Sequence, residues 1–225
     1  MSPMDLQHRF QRWFKPRFAV IYPFGFFVLI FGYCDDRSLR AGVGYVIAGL
    51  LIRLWSNGYA IKNDKLTTSG PYAFVRNPLY LGTFLVAVGM AVVLKMQWVG
   101  VVFLLAMGAM YYKTIQDEQG MLTAKFGDAY RKYKAKVPAM VPTLIPYSEG
   151  KKWPFNLQRL IDSKEHKPLF WVIVLLIVFH LKSRLLVEHK AMTERSWMIV
   201  AVAAFLILLD ILYEMNKNKI HRKNA

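Results

Sequence analysis

The sequence predicts an all-α, polytopic integral membrane protein with about six transmembrane helices, and three features carry that reading. Of its 225 residues, 55% are hydrophobic and the mean hydropathy is +0.26, too apolar for an ordinary soluble domain. The net charge is nonetheless +16, so oil and charge must be segregated along the chain, and they are. Six apolar segments, about 18–34, 41–60, 79–94, 98–113, 169–181 and 197–213, alternate with basic polar stretches. Several fall short of the ~20 residues a bilayer core requires, but helices continue past the hydrocarbon, so all six are kept as spans.

Residues 1–17 are basic, and the apolar run that follows has no small-residue cleavage site, so no cleavable signal is expected. Lysine and arginine set the orientation. With the N-terminus inside, 22 of the 30 basic residues fall on the cytoplasmic side and 7 on the other, while Arg53 lies within a span. Both termini are therefore expected in the cytoplasm. Nucleic-acid binding is the competing reading of so basic a chain. It is set aside because the basic residues flank apolar spans, where anionic lipid headgroups suit them. Cys34 is the sole cysteine, so no internal disulfide forms.

Between the third and fourth spans only Lys95, Met96 and Gln97 are polar or turn-like, which forces a tight antiparallel helical hairpin. No proline follows until Pro138, so the fourth helix can run well beyond the bilayer. Its extension, "LTAKFGDAYRKYKAKV", reads as an amphipathic cytoplasmic helix interrupted at Gly127, with Tyr130, Tyr133 and Val137 able to share one face. "VPAMVPTLIPY" has three prolines, which exclude a long helix and favour an ordered loop. Residues 148–168 read as a polar linker. The chain thus divides into a core, 1–147, and a linker with a two-helix membrane extension, 148–225. His180 and Asp210 in that extension sit near span ends, which favours snorkelling or interhelical hydrogen bonds.

The chemistry concentrates in "TSGPYAFVRNPLYLG", residues 68–82, at the mouth of the third span. Gly70 can take backbone angles closed to other residues, and Pro71 fixes the next one. Pro78 suits the first turn of a helix, and Asn77, preceding a proline, is pushed out of helical geometry and is placed to cap it. A re-entry turn with a capped helix accounts for these residues. It leaves unexplained why Tyr72, Tyr80 and Arg76 crowd the same turn. A helix N-terminus beside a cation holds carboxylates or phosphates well. Measured from the hairpin turn at ~1.5 Å per residue, Tyr80 and Glu118 lie ~24 and ~33 Å away, both on the cytoplasmic side, with Glu118 about a helical turn or two further out. The hairpin therefore brings the cationic turn close to Asp117 and Glu118, though surface carboxylates are commonly just solvated.

"GPYAFVRNPLYLG", followed by "EQGMLTAKFGDAYRKYKAKVPAMVP", resembles the isoprenylcysteine carboxyl methyltransferase family and, more widely, the phospholipid N-methyltransferases. The resemblance covers roughly residues 50–146. It implies a membrane methyltransferase that binds S-adenosylmethionine at the cytosolic face and methylates a lipidic acceptor lying in the bilayer. By resemblance, Gly70, Pro71, Tyr72, Arg76, Asn77, Pro78, Tyr80, Glu118 and Gln119 surround the cofactor. Arg76, Asn77 and Glu118 stand closest to the chemistry, and Arg76 is placed to pair with the methionyl carboxylate. Two departures bear on acceptor choice: Asn77 stands where many members have histidine, and Gln119 where the second acid of a pair stands. No metal cluster or nucleophilic cysteine is visible, and methyl transfer needs neither.

A lipidic carboxylate is the expected acceptor, because it arrives ionised and needs no base; an amino headgroup stays open, with Glu118 or Asp117 as base. The tail "DEQGMLTAKFGDAYRKYKAKVP" with "LIPY" also resembles membrane sterol reductases, which would imply NADPH. The G-P-Y turn argues for methyl transfer instead. A third reading is a non-catalytic membrane scaffold.

Overall fold

The computed structural model describes residues 26–28, 30–61, 65–163, 166–189, 191–194, 196–198, 200–202, 204–205 and 207–208. Every regular element among them is helical. Most of the expected first span, part of the sixth, and Asp210 lie outside the described residues. Among the described residues, three helices are long and apolar enough to cross a membrane: Asp36–Tyr59, Gln97–Lys136 and Lys167–Val187. Pro78–Val93 is a shorter apolar helix. The chain divides into two compact units, one of residues up to 165 without 33–35, the other of residues 33–35 and 166 onward.

In the first unit, α1 (Asp36–Tyr59) packs along α2 (Pro78–Val93). Their contact is built on paired glycines. A Cβ on Gly82 would stand 2.7 Å from the Gly49 carbonyl oxygen, and one on Gly89 2.8 Å from that of Gly42. The seven-residue spacing on both helices repeats the contact on one face of each. Without side chains there, the backbones approach closely, as small residues allow between membrane helices. Two polar ties cross the same seam. Ser38 donates to the Val93 carbonyl at 2.8 Å. Arg53, the one basic residue inside an expected span, donates to Thr83 Oγ1 and to the Leu79 carbonyl. Such pairing is what makes an intramembrane arginine tolerable.

Lys95, at φ 52°, closes the turn into α3 (Gln97–Lys136), and the Met96 N–H reaches the Ala91 carbonyl at 3.0 Å. The hairpin is thus as tight as its three-residue break requires. α3 breaks where the sequence puts Gly127, whose φ of 53° and ψ of −127° interrupt the helix. Beyond it Tyr130, Tyr133 and Val137 are buried together, as their spacing predicts, while Arg131, Lys132, Lys134 and Lys136 are exposed.

The segment after the proline loop is not free chain. Phe155 packs edge-on against Tyr59, and the Asn156 N–H donates to the Gly58 carbonyl at 2.9 Å. The Asn156 side chain then caps the short α4 (Leu157–Asp162) by accepting from the Arg159 N–H at 3.1 Å. Polar composition concealed these contacts, because most of them are made by backbone.

In the second unit, α5 (His166–Lys182) runs into a wide π turn, Ser183–Val187. The buried Ser183 hydroxyl accepts from the Cys34 N–H at 2.7 Å and lies 3.6 Å from the Cys34 sulfur. His180 is half-buried near the end of α5.

Candidate active site

The turn before α2 is a single 3-10 helix, Gly70–Ala73. Gly70 has φ 60°, and a Cβ there would run into the Tyr59 ring at 2.6 Å, so both conformation and space demand glycine. Residues 69–77 are then strapped from outside. Ser69 Oγ accepts from the Trp153 N–H at 2.7 Å. The Thr143 and Tyr147 N–H groups donate to the carbonyls of Phe74 and Ala73, at 2.8 and 2.9 Å. In return the Arg76 and Asn77 N–H groups donate to the carbonyls of Pro138 and Ala139, at 2.9 and 3.1 Å. The proline-rich stretch is therefore an ordered loop, as expected, and its role is to hold the turn.

Pro78 opens α2 as predicted. The expected side-chain cap does not form. Asn77 has φ −122° and ψ 63°, and its amide donates to the Ala139 carbonyl at 3.0 Å instead of meeting the helix N-terminus. The proline loop offers a carbonyl that the sequence could not place. The first turn of α2 consequently has no cap from the Asn77 side chain.

Arg76 is held on two sides. Its Nε donates to the Val137 carbonyl at 2.8 Å and its Nη1 to the Tyr130 hydroxyl at 3.2 Å. Tyr133 donates from its hydroxyl to the Tyr72 carbonyl at 2.6 Å. Burial pushes the Tyr133 phenol far above its ordinary pKa, with the Arg76 charge opposing in part. It stays a neutral donor. Across the hairpin, the Tyr80 hydroxyl donates to Glu118 Oε1 at 2.6 Å, and the Tyr80 and Tyr111 rings lie 4.8 Å apart. Helical rise put Tyr80 and Glu118 at one rim but ~9 Å apart in height, whereas the structure joins them by a direct hydrogen bond.

These groups surround a cleft of about 480 Å³, within the usual range for small-molecule sites. Of the residues singled out in the sequence, Tyr72, Arg76, Asn77 and Glu118 line it. Gly70, Pro71, Pro78, Tyr80 and Gln119 do not line it. Pro71, Pro78 and Gln119 are buried behind it, Gly70 shapes the turn, and Tyr80 acts on Glu118. Asp117 is exposed and outside the lining. The cleft also takes in Lys65, Thr67, Leu66, Lys125 and Phe126, which sequence reasoning did not assign to it. Lys125 and Phe126 stood inside a quoted stretch, one helical turn past Met121 and Leu122, and that periodicity was the available signal. Nothing local marked Lys65 and Thr67. With Lys65, Arg76 and Lys125 against Glu118, three cations and one carboxylate face the space, which suits a ligand carrying an anionic end and a cationic centre.

Residues 41–129 match the family described as phospholipid methyltransferase. A protein-S-isoprenylcysteine O-methyltransferase of Schizosaccharomyces pombe is 38% identical over 85 residues, 38% of this chain and 36% of that protein. The human protein of the same name is 29% identical over 134 residues, 57% of this chain and 42% of that one. A cobalt-zinc-cadmium resistance protein, CzcN, of Cupriavidus metallidurans is 31% identical over 134 residues, 57% of this chain and 62% of that one. The chain thus spans less than two thirds of the length of each of these relatives. The resemblance to the isoprenylcysteine carboxyl methyltransferases is borne out at the level of family.

Proposed function

We propose that this chain, which carries a phospholipid-methyltransferase region at residues 41–129, is an integral membrane methyltransferase that binds S-adenosylmethionine and methylates a lipidic carboxylate. The observation that carries the proposal is the convergence of Tyr72, Arg76, Asn77 and Glu118 on one cleft, although 38 residues and a helical hairpin separate Tyr80 from Glu118. The cleft fits the cofactor by size and by charge. Arg76, with Lys65 and Lys125, provides cations for its carboxylate; Glu118, oriented by Tyr80, faces its cationic or ribose part. When bound, the cofactor supplies a methyl group already made electrophilic by the sulfonium. The chain aligns donor and acceptor and excludes water, with Leu66, Leu122 and Phe126 as apolar walls.

No histidine is among the described lining residues, and Asn77 occupies the familial histidine position. A site so poor in titratable bases suits an acceptor that arrives anionic, which is why a carboxylate is preferred to an amine. The finer architecture belongs to the same proposal: six spans, both termini and the cleft on the cytoplasmic side, a core of residues 1–147, and an acceptor that enters sideways from the bilayer.

Two measurements test this. Calorimetry on detergent-purified protein should give binding of S-adenosylmethionine and none of NADPH; NADPH binding would favour the reductase reading, and binding of neither a scaffold. Lipid extracts incubated with the protein and methyl-labelled cofactor should yield base-labile methyl ester. Label only in base-stable N-methyl groups would overturn the carboxylate assignment and make Glu118 the base for an amine.

A further inference from the structure

The loop of residues 137–147 has one side occupied and one side bare. Its backbone is tied to residues 73–77 by the four hydrogen bonds of Thr143, Tyr147, Arg76 and Asn77. On its outer side Val141, Leu144 and Ile145 are 73%, 96% and 80% exposed. Single exposed aliphatic residues need no explanation, but three within five positions form a patch that water does not favour. Pro138, Pro142 and Pro146 stiffen the loop, so these side chains are held outward and cannot easily fold back.

The depth of this patch follows from α2. Its 16 residues make ~24 Å at ~1.5 Å per residue, while a bilayer core is ~30 Å thick. A helix that short has its first turn at or inside the hydrocarbon boundary. Arg76 and Asn77 immediately precede that turn, and Pro138 and Ala139 are hydrogen-bonded to them. The loop therefore lies at the level where headgroups meet acyl chains. Beside it, on the last turns of α3, Lys132 and Lys134 are exposed and positive, while Lys136 is ion-paired with Glu149.

The geometry points to the 141–145 loop as an interfacial anchor. Val141, Leu144 and Ile145 enter the headgroup–acyl boundary of an anionic bilayer beside the start of α2, and Lys132 and Lys134 meet the headgroup phosphates. Because the inner side of the same loop holds Arg76 and Asn77, lipid contact fixes one wall of the cleft at the membrane surface. The inference rests on the membrane reading and is independent of methyl transfer.

The test uses the full chain in bilayers of phosphatidylcholine with phosphatidylglycerol. Nitroxide labels are placed singly at Leu144→Cys, Ile145→Cys, Leu51→Cys on the exposed face of α1, and Arg131→Cys. Cys34 is 2% exposed, and the parent chain serves as the blank. Collision with lipid-soluble oxygen is compared with collision with a water-soluble nickel complex. The labels at 144 and 145 should show an oxygen-to-nickel ratio several-fold above that at 131, approaching that at 51. A nickel-accessible loop with an oxygen-accessible label at 51 overturns the anchor and leaves the membrane reading intact. A nickel-accessible label at 51 overturns both. Loop labels shielded from both quenchers mean that another protein surface covers the patch, which also overturns the anchor.

Discussion

Arg76 shows how one residue serves structure and site together. Its guanidinium ties the Val137 carbonyl and the Tyr130 hydroxyl while it lines the cleft. Arg76→Ala should weaken S-adenosylmethionine binding roughly 10- to 150-fold, the equivalent of about 1.5–3 kcal/mol for a charge-assisted hydrogen bond lost. It should also lower the melting temperature, because it strands two buried acceptors. Tyr130→Phe removes one tie on Arg76 and one hydroxyl of the cleft lining but keeps the charge, so it should destabilise while weakening affinity much less than Arg76→Ala does. Calorimetry and thermal unfolding of both variants separate the roles; unchanged affinity in Arg76→Ala would remove that residue from the cofactor site. Tyr133 carries a pH signature. Burial raises its folded-state pKa above the ordinary value of about 10, so its stabilisation is complete below pH ~10. Above that the unfolded chain releases the proton first, and stability falls by at most ~1.4 kcal/mol per pH unit until the folded pKa is passed. Tyr133→Phe should start less stable, having lost the bond to the Tyr72 carbonyl, and should lose stability less steeply between pH 10 and 12. Equal alkaline slopes for the two proteins would contradict the assignment.

Among elements, the α1–α2 seam makes the sharpest demand on sequence. A Cβ on Gly49 would meet Val86 at 2.9 Å as well as the Gly82 carbonyl, whereas one on Gly44 in the same helix meets nothing within 4 Å. Gly49→Ala should therefore destabilise by about 1–3 kcal/mol through overpacking. Gly44→Ala should be neutral or stabilising by up to about 1 kcal/mol, since alanine is the better helix former. Thermal unfolding in detergent compares them directly, and equal effects would mean that the seam is looser than the structure has it. Gly127 is a different case. No atom crowds its Cβ position, so Gly127→Ala is disfavoured by backbone conformation alone, at about 1–3 kcal/mol, and should loosen the Tyr130–Tyr133–Val137 cluster just beyond it.

For the whole molecule, the basic residues make the testable statement. With 22 on one side and 7 on the other, both termini are expected in the cytoplasm. A reporter fused after Ala225 should be active only on the cytoplasmic side. Activity on the far side would mean an odd number of spans, most simply through loss of the 169–181 segment. That segment is helical, and Lys167–Val187 is long and apolar enough to cross a bilayer.

The sequence by itself determined the helical membrane class, the hairpin, the break at Gly127, the buried face of Tyr130, Tyr133 and Val137, and the resemblance to membrane methyltransferases. Each of these is written in local terms: apolar length, turn residues, helical period and a motif with fixed spacing. Helical rise sufficed to put Tyr80 and Glu118 at one rim, because a tight hairpin leaves little freedom in register, and the structure supplied their direct hydrogen bond. Only the tertiary structure decided that Asn77 bonds to Ala139 in preference to capping α2, that residues 149–156 pack on the site's outer side, and that Lys65 and Lys125 complete the cleft. It alone decided which glycines are structural at the α1–α2 seam. The reason is common to all four. Each depends on a backbone carbonyl or a neighbouring helix tens of residues away, and a backbone carbonyl is the same in every residue, so composition and period carry no trace of which one a side chain will meet.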